Sequence, residues 1–231
     1  MEIQESIVMK INGNKIEGLV FDMDGLLLDS ERIVQRSWEL SGKELGIEGM
    51  GQQIYHTLGM NAKSRRQYFK NAISADFPYE EFQKLTSKYF YQITDTEGLP
   101  VKKGAAELLE YAKTHDYKTA VATSSSREYA ERVLTDAGLY QWFDGGVFGD
   151  MVTKGKPDPE IYLRACESIT LRPENGLAFE DAPGGIRSAV AAGLHTIMIP
   201  DLLQPTEEIK KLIYRKFADL EEVIPFLEGS V

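Results

Sequence analysis

Short apolar runs, each ending in a polar cluster, alternate with stretches of helical spacing along most of the chain. Leu19-Val20-Phe21, Lys118–Ala122, Val147-Phe148, Leu177-Ala178-Phe179 and Thr196–Ile199 read as buried strands. Glu107–Lys113, Glu128–Ala137 and Gly184–Ala192 read as helices, as does a segment opened by Pro157-Asp158-Pro159 and running through Ile169. Glu207–Tyr214 and Leu220–Phe226 predict two closing helices. Strands alternating with helices imply an α/β core, Rossmann-like, with a parallel sheet covered on both faces. Right-handed crossovers bring the strand C-termini to one edge, and ligands of such sheets bind beyond that edge.

The pattern changes between Ser30 and about Thr96. Glu31–Leu45, Ile54–Leu58, Lys63–Ile73 and Tyr79–Ile93 are amphipathic, and no buried strand interrupts them. Strand signals return after Gly98-Leu99-Pro100. The division expected is a core of residues 1–29 and 97–231 and an inserted all-helical cap of residues 30–96, seated over the sheet edge as a lid. Tyr89-Phe90-Tyr91 is expected in the packing of that cap. Near the start, Asn12-Gly13 lies between Ile7–Ile11 and Lys15–Phe21, which reads either as a type I′ hairpin or as a loose arm.

Composition narrows the function. The 231 residues include 26 Lys and Arg against 36 Asp and Glu, a net charge of −10, with 42% hydrophobic residues. The chain can bury a core, and its acidic balance weighs against nucleic acid and anionic membrane. A lone Cys166 excludes an intrachain disulfide and any cysteine metal centre, and His56, His115 and His195 are scattered. Met1 to Lys10 lacks the apolar stretch of a signal peptide, and no run reaches the length of a membrane span. The expectation is a cytoplasmic monomer.

The polar clusters at the strand ends carry the chemistry. Asp22-Met23-Asp24-Gly25 follows the first strand, Thr123-Ser124-Ser125 the second, Lys156-Pro157 the third and Glu180-Asp181 the fourth. Crowded carboxylates repel unless a cation lies between them, and an all-oxygen donor set suits Mg²⁺. Lys156, Thr123 and backbone amides at a helix start can hold a phosphate. Together they describe phosphoryl transfer, with a carboxylate as a candidate nucleophile. Asp29 reads as a structural turn residue.

Asp22-Met23-Asp24-Gly25-Leu26-Leu27-Leu28-Asp29-Ser30 resembles the first motif of the haloacid dehalogenase superfamily. Val121–Ser125, Gly155–Pro159 and Phe179–Gly185 resemble its second, third and fourth, in order. The likeness is to the branch of β-phosphoglucomutases and small-metabolite phosphatases with a helical cap. It implies that Asp22 attacks phosphorus and binds Mg²⁺, and that Asp24 is the acid/base and ligates metal through its carbonyl. It further implies that Asp181 and Glu180 complete the metal site, the latter through water, and that Thr123, Ser124 and Lys156 hold the phosphate. Where β-phosphoglucomutases carry a His after the first motif this chain has Val34, and where they carry a cap Arg it has Ala62. Those losses favour hydrolysis of a small phosphomonoester, a sugar phosphate or nucleotide monophosphate, over the mutase reaction. Asn61, as N-cap of a cap helix, and Lys63 are candidate substrate contacts, with Arg65 and Arg66 nearby. A signalling switch phosphorylated on Asp shares the Asp, Ser/Thr and Lys set, but is about half this length and lacks an insertion.

Overall fold

Asn12 and Gly13 both take positive φ, 52° and 85°, and close a hairpin of β1 (Lys10–Ile11) and β2 (Asn14–Lys15). This is the backbone a two-residue type I′ turn requires. The computed structural model describes residues 9–58, 60 and 62–229. The hairpin is therefore seen from Met9 onward, and the Ile7 end of its predicted first strand lies outside the described residues, as does Asn61.

The apolar runs form a six-stranded sheet. Strand β3 (Gly18–Phe21) lies between β4 (Lys118–Ala122) and β6 (Gly176–Glu180). Beyond β4 comes β5 (Gly145–Val147); beyond β6 come β7 (His195–Met198) and β8 (Arg215–Lys216). All these pairs are parallel. Every residue of β3 and β6 is buried, so both faces of the sheet must be covered.

Alternation along β3 divides the core in two. Leu19 and Phe21 point into one cluster with Leu108, Leu134 and Phe226, whereas Val20 joins Tyr162, Ala165 and Ala189 on the other face. The insertion supplies α1 (Ser30–Glu44), a 3₁₀ turn at Met50–His56, α2 (Ala62–Ala72) and α3 (Tyr79–Glu97). The core helices are α4 (Ala105–Thr114), α5 (Arg127–Asp136), α6 (Glu160–Ser168) and α7 (Pro183–Ala191), followed by α8 (Glu207–Leu212) and α9 (Val223–Leu227). Helices α4, α5 and α9 cover one face and α6 and α7 the other. The insertion has its own aromatic core, in which Phe69 contacts Trp38 at 5.3 Å and Phe82 at 5.6 Å between ring centroids.

Its two ends are tied together. Leu28 pairs antiparallel with Val101, Asp29 N–H donates to the Pro100 carbonyl, and Lys102 N–H donates to that of Leu27, both at 2.9 Å. The buried Asp201 carboxylate accepts from Arg32 at 2.7 Å and from Lys102 at 2.8 Å, one cation from each end. Asp29 occupies the N-cap position of α1 but makes no side-chain cap; its carboxylate pairs with Arg32 instead.

Two strands depart from expectation. The third begins at Gly145 rather than Val147, because Gly145 and Gly146 pair with Ala120 and Val121. A methyl on Gly146 would lie 2.6 Å from Val121 Cγ1, so any larger residue would have to displace the buried Val121. The closing helix stops at Leu212, and Arg215-Lys216 adds an exposed edge strand to β7. An edge strand needs backbone partners on one side only, so no apolar run announces it. Of Ile54–Leu58, expected as a helix, Ile54 to His56 close the 3₁₀ turn, and Thr57 and Leu58 follow it as a turn.

Candidate active site

Register brings the strand-end residues together. Phe21 stands opposite Val121 in β4 and Phe179 in β6. The residues that follow, Asp22, Ala122-Thr123 and Glu180-Asp181, therefore leave the sheet at the same edge. Asp22 N–H continues the ladder to the Phe179 carbonyl at 3.0 Å. Asp22, Thr123, Lys156, Glu180 and Asp181 are all buried.

Carboxylate oxygens of Asp22, Glu180 and Asp181 lie within 4.8 Å of one another. Lys156 Nζ donates to Asp22 Oδ1 at 2.5 Å and to Glu180 Oε1 at 2.6 Å. Tyr162 donates to the same Glu180 oxygen at 2.7 Å. Burial opposes the charge on Lys156, but Asp22 and Glu180 prevail and hold its pKa above the usual lysine value. One lysine does not balance three carboxylates. Burial, with repulsion from Glu180, pushes Asp22 up to about 7 against the pull of Lys156. Burial, then Glu180 and Asp22, drives Asp181 well above the ordinary carboxylate range. A buried, all-oxygen cluster with excess negative charge could hold a hard divalent cation. Backbone makes room for it: Gly25 takes φ +82°, and a methyl there would lie 2.5 Å from Asp181 Oδ2.

Asp24 stands apart from that cluster. Ser30 Oγ donates to its Oδ1 and Ser125 Oγ to its Oδ2, both at 2.7 Å. Thr123 Oγ1, 3.4 Å from Asp24 Oδ2, accepts from Ser125 N–H at 3.1 Å. The carboxylate is thus held by hydroxyls and directed at the cavity it lines. Ser124 is exposed beside it at the turn before α5.

These groups floor a cavity of about 760 Å³ roofed by the helical insertion. Val34 and Trp38 of α1, Lys63 and Arg65 of α2, and Phe90 and Tyr91 of α3 line it. Lys63 is exposed at this wall. Arg66 turns away, pairing with Glu80 over the Tyr79 ring, so this cation of the predicted set does not reach the cavity. Tyr89-Phe90-Tyr91 divides its tasks: Phe90 is buried, Tyr91 faces the cavity and Tyr89 bonds Glu44. Sequence reasoning did not single out Glu31, Tyr129 or Gly149, which also line it. Glu31 lies one residue past the first motif, and burial, with Asp24 nearby, pushes it up to about 8. Gly149 stands where the loop after β5 crosses the Ser124 turn, so closely that a methyl would lie 2.0 Å from the Ser124 carbonyl oxygen.

Comparison with known proteins identifies the family. The model of the haloacid dehalogenase-like hydrolase family matches residues 16–193. A phosphorylated carbohydrates phosphatase of Thermotoga maritima is 31% identical over 182 residues, covering 79% of this chain and 84% of the relative. Hexitol phosphatase A of Escherichia coli is 30% identical, covering 80% of this chain and 83% of its own length. The crystal structure of CbbY from Rhodobacter sphaeroides, in complex with phosphate, superposes with a TM-score of 0.76 at 27% identity, covering 90% of this chain and 96% of that one.

Proposed function

The chain belongs to the haloacid dehalogenase-like hydrolases, and on that premise we propose that it is a Mg²⁺-dependent phosphatase. Its substrate is a small phosphomonoester of the sugar phosphate or nucleotide monophosphate type, and it works through an aspartyl-phosphate on Asp22. The observation that carries this reading is the meeting of Asp22, Glu180 and Asp181 within 4.8 Å, with Lys156 between them, beneath a cavity of about 760 Å³. Relatives named as phosphatases of phosphorylated carbohydrates and hexitols support the substrate class.

Asp22, Glu180 and Asp181 would hold Mg²⁺, joined by the Asp24 carbonyl, and the bound ion would supply positive charge to offset the phosphate and to favour ionised Asp22. An Asp22 oxygen attacks phosphorus in line with the ester oxygen, which leaves with the Asp24 proton. Asp24 then takes a proton from water, whose oxygen displaces phosphate from Asp22 and restores the carboxylate. Lys156, Thr123 and the Ser124 amide balance charge on the non-reacting oxygens. Residues 30–96 act as the cap over a core of 1–29 and 97–231, with Lys63 a substrate contact at its rim. The enzyme works as a cytoplasmic monomer; among the described residues no helix is long and apolar enough to cross a membrane.

Val34 lines the cavity where a mutase needs a hydrogen-bonding side chain, which favours hydrolysis. The test is a panel of phosphorylated metabolites, assayed for phosphate release with and without Mg²⁺. Release that needs the metal and is lost in Asp22→Asn is expected. Conversion of β-glucose 1-phosphate to glucose 6-phosphate without phosphate release overturns the reading in favour of a mutase. A phosphoryl group that persists for minutes on Asp22 overturns it in favour of a switch.

A further inference from the structure

Tyr162 is fully buried in the packing of α6 against the sheet, beside Val20, Ala165 and Ala189. Packing alone does not call for a hydroxyl at that position. The hydroxyl reaches past the apolar cluster and donates to Glu180 Oε1 at 2.7 Å. Lys156 Nζ donates to the same oxygen at 2.6 Å and lies 5.1 Å from the centre of the Tyr162 ring. One residue of the core thus touches two members of the site, each through a different part of its side chain.

The lone pairs of Glu180 can be counted. Each carboxylate oxygen has two acceptor sites, so the lysine and the tyrosine together fill Oε1. Oε2 receives a long bond, 3.4 Å from the Ala182 N–H, and keeps acceptor capacity. Glu180 is therefore fixed in orientation, with one oxygen occupied and the other left to meet a cation. That difference bears on the choice of ion. Mg²⁺ demands a near-ideal octahedron of single oxygens, whereas Ca²⁺ takes more oxygens and accepts both from one carboxylate.

We propose that Tyr162 is a positioning residue of the metal site: with Lys156 it saturates Glu180 Oε1, so that Glu180 presents Oε2 alone and the site favours Mg²⁺ over Ca²⁺. This rests on the hydrolase reading above and goes beyond it to the selection of the ion. Tyr162→Phe keeps the ring, its packing and its place beside Lys156, and removes only the donor. One acceptor site of Oε1 is then released, the carboxylate can turn, and a larger ion can take both oxygens.

The test titrates the metal-free protein with Mg²⁺ and with Ca²⁺ by calorimetry, in wild type and in Tyr162→Phe. Mg²⁺ affinity is expected to fall roughly 10-fold in the variant and Ca²⁺ affinity by less, so the preference for Mg²⁺ narrows. A role in packing alone would lower Tm in chelator and leave the ratio of the two affinities where it was. An unchanged ratio overturns the proposal, as does a wild-type preference for Ca²⁺. A crystal structure of the wild-type protein with Mg²⁺ decides the matter if Tyr162→Phe does not fold. Oε1 must then remain on Lys156 and Tyr162, and an ion bound to Oε1 overturns the proposal. Binding of neither ion by the wild-type protein overturns the metal-dependent hydrolase reading itself, before any variant is made.

Discussion

Glu180 and Gly185 share a space that admits no further atom: a methyl on Gly185 would fall 1.7 Å from Glu180 Oε1. The carboxylate that bonds Lys156 and Tyr162 lies directly on the first turn of α7. Gly185→Ala must therefore displace Glu180. Shifting a group of this kind costs about 10–100-fold in metal affinity or activity. Titrating activity against Mg²⁺ should show a raised half-saturation concentration in the variant. Wild-type metal dependence would count against the placement of Glu180.

Asp22→Asn keeps the size of the side chain and removes its nucleophilicity. Turnover should fall on the order of 10⁴-fold or more, as for other covalent nucleophiles. The folded variant should still bind inorganic phosphate with Mg²⁺ present, measured by calorimetry, because Thr123 and Lys156 remain.

Without metal, the site should make stability depend on pH. The carboxyls of Asp22 and Glu31 are raised to about 7 and about 8. The folded protein thus keeps protons that the unfolded chain gives up near pH 4. Their stabilisation is full below about pH 4 and is lost as pH rises to about 8. In chelator, Tm should fall between pH 5 and pH 8, and Asp22→Asn should flatten that slope. Added Mg²⁺ should raise Tm more at pH 8 than at pH 5, since carboxylates bind metal deprotonated. An equal shift at both values would contradict the proposed ligand set.

Asp201 has 1% of its side chain exposed, yet bonds two cations on separate segments. Asp201→Ala strands Lys102 and leaves Arg32 with Asp29 alone. Arg32 is half exposed and loses little. Lys102 is 21% exposed and loses more. A destabilisation of about 1–3 kcal/mol is expected, read as a lower urea midpoint at unchanged slope.

The legible part of this protein was what short-range pattern and handedness determine. The β3, β4, β6 and β7 runs were apolar enough to be read as strands, and the crossover rule then sent Asp22, Thr123 and Glu180 to one edge. Arg215-Lys216 escaped notice because a charged edge strand is held by its neighbour's backbone alone. Asp201 looks like any loop acid until Arg32 and Lys102 fold against it. Tyr162 reads as core until α6 packs on the sheet and sets its hydroxyl on Glu180, and no spacing along the chain encodes that approach. Asn12-Gly13 left hairpin and loose arm level; its two positive φ angles decide for the hairpin.

The bonds between Asp29 and Pro100, and between Leu27 and Lys102, have a consequence for how such a chain can change. The insertion leaves and rejoins the core at adjacent points, so the sheet does not register how much polypeptide lies between them. A lineage could lengthen, shorten or exchange everything from α1 to α3 without re-registering a single strand. Only the first turn of α1, where Ser30 bonds Asp24, would have to be kept for the strand-end site to be inherited intact.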